Sequence, residues 1–238
     1  MEWAFTPDEF SYIWQTETGL DRRPHPIDLA PRATAATESA RSALELERRF
    51  PPNGDPDLTG TLRFLARTDV TRVTVFGDDF DGEGRRCDPV LAVAVGFGNW
   101  GALVRARSGE VTVIACHART VGKHLVSTLG PARAGRLPAM REPRAAVLCP
   151  DQGAGATATA AIRARRLRAA LHRPIDARGF FTIAVAPDDP MSPPPIYRTW
   201  LDFTGDGRYL LAAGADFSLT PIGDSGLAAE LTRLARFR

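Results

Sequence analysis

The chain has 238 residues, a net charge of +2, 44% hydrophobic residues and 24% charged residues, which is long enough and apolar enough for a sizeable globular core. A balance this near neutrality excludes a long-range field that would draw the chain onto nucleic acid or an anionic membrane. Cys87, Cys116 and Cys149 are few and widely spaced, which fits a reducing compartment better than a disulfide framework.

Glu2, Asp8 and Glu9 interrupt any leading apolar run, so no targeting segment is expected, and no stretch nears the roughly 18 apolar residues of a membrane span. A cytoplasmic protein is the expectation. Thr6-Pro7-Asp8-Glu9 has the form of a capping box, with Phe10, Ile13 and Trp14 on one face of the helix it starts and Gly19 at its end. Pro26 to Leu29 reads as an edge strand, and Thr34 to Phe50 as a second helix. Asp55-Pro56 opens a third helix with Leu58, Leu62 and Leu65 inward.

Four strands and a helix follow. Arg72–Phe76 alternates polar and apolar, a long loop runs from Gly77 to Pro89, and Val90–Phe97, Ala102–Arg107 and Glu110–Cys116 continue the set. Thr120–Leu129 is the closing helix. Gly130–Gly155 reads as a loose connection with one short strand at Ala145–Cys149. Thr157–His172 is a helix with Ala160, Ala164, Leu167 and Leu171 in its apolar stripe. Strands at Gly179–Ala186, Pro195–Thr204, Arg208–Ala213 and Phe217–Ile222 then lead to a last helix at Asp224–Arg236.

The second set repeats the first at a spacing of about 106 residues, with Gly101 on Gly207, Leu103 on Tyr209, Val111 on Phe217, Val113 on Leu219 and Leu125 on Leu231. The first strand of each set, around Val75 and Ile183, needs a slip of about two residues. Short turns between consecutive strands imply antiparallel meanders. The expected fold is therefore α+β. Two pseudo-twofold-related ββββα halves (1–130 and 156–238, joined through 131–155) share one largely antiparallel sheet with helices around it, in a single domain. Such a platform offers a broad surface and points to binding before catalysis.

Several motifs imitate chemistry. Gly96-x-Gly98-x-x-Gly101 matches the dinucleotide fingerprint, but a strand rather than a helix follows it. Gly223-Asp224-Ser225-Gly226 has the form of a serine-protease nucleophile segment, yet it sits where a helix cap belongs. Asp79-x-Asp81-Gly82-Glu83 lacks the loop length of a calcium-binding EF-hand. Adjacent Cys116 and His117 point to opposite faces of a strand and cannot easily share a zinc ion. The arginines of Arg163–Arg168 have no aromatic platform beside them for RNA. No catalytic residue, cofactor or metal is expected. The alternatives are a hydrolase using Ser225 or the acidic-loop carboxylates, and a protein that pairs only with itself.

Several segments stand in a telling order: Trp3-x-Phe5-Thr6-Pro7-Asp8-Glu9-Phe10 with Trp14, Pro24-His25-Pro26-Ile27, the helix from Asp57 to Ala66, Arg178-Gly179-Phe180-Phe181-Thr182-Ile183-Ala184-Val185, and Gly207-Arg208-Tyr209-Leu210 with the last helix. Their order and spacing resemble the EspG family, the chaperones associated with ESX type VII secretion in actinobacteria. The resemblance implies a central sheet with an internal pseudo-twofold and a helical bundle on each side. It implies a cytosolic chaperone that holds the helical tip of a PE–PPE-like secreted partner, and a chain that is monomeric or weakly dimeric when free. The sheet, the loop after the second strand and the C-terminal helical bundle would make the contacts. The corresponding candidates are Asp78, Asp79, Phe80, Asp81, Glu83, Arg85 and Arg86 in the loop, Arg163 and Arg166 on the arginine-rich helix, and Leu227 and Leu231 on the last helix.

Overall fold

In the computed structural model, which describes residues 1–29, 45–107, 109–149 and 157–237, the polar–apolar alternations become the strands of one ten-stranded sheet. The first half supplies β1 (Glu2–Phe5), β2 (Thr71–Phe80), β3 (Arg86–Phe97), β4 (Trp100–Arg107) and β5 (Glu110–His117). The second supplies β6 (Met140–Pro143), β7 (Ile175–Ala184), β8 (Ile196–Phe203), β9 (Gly207–Ala213) and β10 (Asp216–Pro221). The order β1-β5-β4-β3-β2-β7-β8-β9-β10-β6 reads the same outward from the β2–β7 junction. Every neighbouring pair is antiparallel, and Thr74 faces Thr182 at the junction, so like residues of the two copies meet there. The α+β fold with two pseudo-twofold-related halves is as expected.

Helices cover the sheet on both sides. Residues 90, 92 and 94 of β3 point to one face and 91, 93 and 95 to the other, as the pleat requires. On the first face Val90, Ala92, Ala94, Phe181, Ile183 and Trp200 pack against α4 (Val121–Ser127) and α7 (Asp224–Leu234). On the second face Leu91, Val93 and Val95 meet α1 (Pro7–Thr18) and α3 (Pro56–Ala66), while Phe203, Tyr209 and Leu219 meet α5 (Arg144–Leu148) and α6 (Ala158–Leu171). The cap of α1 is the one its sequence specifies. Glu9 N–H donates to Thr6 Oγ1, Thr6 N–H donates to the Glu9 carboxylate, and Gly19 closes the helix at φ 72°.

The two repeat helices cross at small residues. Gly122 of α4 and Ala228 of α7 are equivalent positions of the repeat, and a Cβ on Gly122 would lie 2.3 Å from the Ala228 carbonyl oxygen. A second close approach lies in the sheet. Gly77 and Gly179 are cross-strand partners, and the Trp200 ring lies over both, 2.5 and 2.1 Å from where their Cβ atoms would be. Trp200 is fully buried and tilts against Phe181 at 5.0 Å.

Ionic contacts tie the segment after α4 to the second copy. Arg208 is 0% exposed and holds Asp202 through two hydrogen bonds of 2.8 Å and Asp224 through one. It also donates to the Gly130 carbonyl, which places a cation near the C-terminal end of α4, where the helix dipole favours it. Asp206 is 4% exposed. Burial would raise its carboxyl, but hydrogen bonds from the Arg136 amide, Arg173, Tyr209 and the Arg136 side chain outweigh burial and hold it far below the ordinary carboxylate range.

Three readings of the sequence are corrected, and a fourth is reached only in part. Pro26–Leu29 is not an edge strand: Ile27–Leu29 forms a 3-10 turn with Ile27 buried, and two nearby prolines remove ladder donors. Most of the helix read at Thr34–Phe50 lies outside the described residues, and Leu46–Arg49 (α2) is helical. Ala145–Cys149 is not a strand. The strand lies upstream at Met140–Pro143, an edge whose charged Arg141 and Glu142 disguise it, and Arg144–Leu148 is helical. The long loop at Gly77–Pro89 is instead the end of a hairpin, because β2 runs to Phe80 and β3 starts at Arg86.

Two outcomes test these contacts. Gly122→Val is expected to lower stability by about 1–3 kcal/mol in urea unfolding, because Ala228 backbone stands in the way. The Asp206 carboxylate stabilises the fold fully above its ordinary value of 3.8 and ceases to do so as pH falls through its depressed folded value. Asp206→Asn should therefore be clearly less stable than the parent at pH 7, and the two unfolding curves should converge as pH drops below about 3.8.

Candidate functional site

The two bundles on the second face stand apart. Between them the outer surfaces of β2 and β7 carry no helix among the described residues. Since Val73, Val75, Phe181 and Ile183 point to the α4–α7 side, their neighbours Thr74, Phe76, Phe180 and Thr182 must point the other way. Phe76 and Phe180 are direct cross-strand partners and are 36% and 53% exposed. Tyr197 of β8 is diagonal to Phe180 on the same face and is 62% exposed. Three aromatic rings lying open on adjacent central strands form a contiguous apolar patch, which marks a contact surface more readily than scattered apolar residues do.

The patch ends at the β2–β3 hairpin, where most of the candidate loop residues fall. Phe80 is half-buried with the Arg178 guanidinium 5.4 Å from its ring centre. Asp78 pairs with Arg86 at 2.5 Å. Asp79 lies on the inner face and pairs with Arg107; burial pushes its carboxyl up against the pull of that guanidinium. Asp81 accepts from Arg85 Nε at 2.8 Å and from the Glu83 and Arg85 amides, and Arg85 also reaches Glu83 at 2.9 Å. The hydrogen bond from Arg85 holds the Asp81 carboxyl below its ordinary value. Asp78 and Asp79 each have an arginine and Asp81 and Glu83 share Arg85, so the hairpin tip is an internally ion-paired turn rather than an open acidic ligand set.

The remaining candidates are elsewhere. Leu227 and Leu231 are 0% and 1% exposed and hold α7 to the sheet, so they present nothing to a partner. Arg163 and Arg166 lie on α6 and line a cleft beside β6, at the far edge of the sheet. Ser225 is exposed in the first turn of α7 and makes no hydrogen bond to a histidine among the described residues. Asp224, next to it, accepts from the Ala132 amide and from Arg208. The glycines of the false nucleotide fingerprint serve packing and turning. Gly96 lies under the Phe237 ring, Gly98 turns the β3–β4 hairpin at φ 56°, and Gly101 lies against Val121. Sequence reasoning missed Phe76, Phe180 and Tyr197. The adjacent aromatics Phe180-Phe181 were the available signal, because neighbouring strand residues face opposite ways and a single core can cover only one of them.

The model of the EspG family matches residues 6–233. The chain belongs to the EspG family. Its fold is similar to that of the Mycobacterium tuberculosis type VII secretion system chaperone EspG5, solved in complex with the PE25–PPE41 dimer. The TM-score is 0.64 at 14% identity, and the match covers 100% of this chain and 96% of the other. No curated protein sequence matches the chain. No described helix of this EspG-family protein is long and apolar enough to cross a membrane.

The patch can be tested without a partner. Phe180→Ser and Phe76→Ser remove apolar surface that belongs to none of the three core clusters, so each variant is expected to stay folded, at a cost of about 1 kcal/mol in thermal unfolding from the lost cross-strand aromatic pair. Binding of a dye that fluoresces on apolar surfaces should fall in both.

Proposed function

We propose that this EspG-family protein is a cytosolic, non-enzymatic chaperone of type VII secretion. It receives the helical tip of a PE–PPE-like secreted substrate on the open face of β2 and β7 and keeps that substrate soluble before export. Family membership and a fold shared with a chaperone solved in complex with a PE–PPE dimer support this reading. The observation that carries it is the exposed Phe76–Phe180 pair with Tyr197, held between two helical bundles at the centre of the ten-stranded sheet.

The mechanism is steric and solvation-based. An apolar helical end that would otherwise self-associate exchanges water for the aromatic patch. A few buried aromatic anchors account for most of the affinity of an interface of ordinary size. The ionic hairpin beyond Phe80 forms the polar rim. Asp78–Arg86, Asp81–Arg85 and Arg178 over Phe80 fix the register of the partner. No bond is made or broken, and the free chain is a monomer or a weak homodimer.

Co-expression with PE–PPE pairs of the same genome, followed by size-exclusion chromatography with light scattering, tests the reading. A stable complex with one such pair is expected. Phe180→Ser should weaken it by about 10- to 100-fold without loss of fold. Failure of every pair to bind a well-folded sample, or full binding by a Phe76→Ser/Phe180→Ser double variant, would refute it.

A further inference from the structure

A second concave surface lies at the C-terminal edge of the sheet. Its floor is apolar, made by Leu137 and Met140 on the chain entering β6 and by Ala169 and Ala170 on α6, and it encloses about 510 Å³. Four strand spacings, about 19 Å, separate β6 from β7, so the cleft is distinct from the open face.

The duplication supplies an internal comparison. Trp3 and Phe5 pair with Val113 and Val111 of β5, just as Met140 and Glu142 pair with Leu219 and Phe217 of β10. The two edges are therefore equivalent, residue for residue. In the first copy the chain covers its own edge. Phe50 packs edge-on against Phe5 at 5.9 Å, and Trp3 Nε1 donates to Asp55 at 2.8 Å. Aromatic rings and a carboxylate occupy the place. In the second copy Glu142 takes the position of Phe5, and no described aromatic residue lines the cleft.

Four arginines, Arg141, Arg163, Arg166 and Arg173, line the opening with Glu142, and three of the four are ion-paired, to Asp216, Glu142 and Asp206. Arg163 donates to Glu142 at 2.8 Å, yet its side chain is 60% exposed and keeps further N–H donors free to face outward. Arg141 pairs with Asp216 and is 75% exposed, and Arg173 pairs with Asp206. Arg166 has no ion-pair partner among the described residues. An apolar floor under an arginine rim suits an apolar side chain flanked by carboxylates, the combination that Phe50 and Asp55 supply internally to the first copy.

We propose that this cleft docks a short acidic peptide segment of a partner protein. The segment lowers one apolar side chain onto the Met140–Ala170 floor and sets its carboxylates against Arg163 and Arg166. This docking is independent of the open face and of the chaperone reading that rests on it.

The probe is a fluorescein-labelled Asp-Glu-Phe-Glu-Asp peptide titrated with the full chain and followed by fluorescence anisotropy. Saturable binding is expected. Arg166→Glu, on an exposed position, and Ala169→Trp, which fills the cleft, should each weaken it at least about tenfold, as should serve replacing the peptide's phenylalanine by serine. Arg165→Glu on another face of α6, and Phe180→Ser on the open face, should leave binding unchanged, with thermal unfolding confirming that all variants fold. Absence of saturable binding, equal loss with Arg165→Glu, or retention in Ala169→Trp would overturn the proposal. So would loss with Phe180→Ser, which would move the peptide to the open face. A homodimer that Arg166→Glu dissociates in light scattering would assign the cleft to a second copy and would also overturn it.

Discussion

The antiparallel pairing of β2 with β7 is the constraint on which the rest of the molecule depends. It joins two copies of a five-stranded unit into one sheet, and it does so where Gly77 faces Gly179. Without side chains there, the Trp200 ring can close onto the junction and anchor both halves to the core under α4 and α7. That core needs the helices close together, which the small residues Gly122 and Ala228 permit. With both repeat helices drawn to one face, the bundles of α1–α3 and α5–α6 are left on the other, each over its own half. The gap between the bundles is thus a consequence of the join, and the aromatic patch of Phe76 and Phe180 is what the gap exposes.

Much of this was legible in the chain. The repeat at a spacing near 106 residues was visible because β4, β5, β9 and β10 are short apolar runs joined by short turns, with matching residues in the two copies. The capping box of α1 was visible because its chemistry is local. The two edge strands were not. β1 is four residues long and merges into that capping box, and β6 carries two charged residues whose partners, Asp216 and Arg163, come from distant segments. The length of the central hairpin was hidden for the same reason. Asp78 and Asp79 read as loop until Arg86 and Arg107 are seen to neutralise them, which lets the strand continue beyond the core.

The candidate site shows the same division. Its neighbourhood, sheet and hairpin, followed from the order of elements, whereas the residues that face outward did not. The acidic loop drew attention because charges are conspicuous in a sequence, yet the fold satisfies them internally. Phe76 and Phe180 were inconspicuous because an aromatic residue in a strand reads as core. Whether it is depends on which helices cover that face, and this is decided by long-range packing that periodicity cannot report.

A sheet of ten strands that never closes into a barrel has two rims, and an open rim invites a neighbouring molecule to add a strand. Here both rims are blunted alike: the outermost strands are four residues long, and the chain turns out of each at or just past a proline, Pro7 after one and Pro143 at the end of the other. Backbone polymerisation from either side is thereby discouraged. The molecule can display greasy rings on its broad surface, at the concentrations a cell requires, without being drawn into stacks of itself.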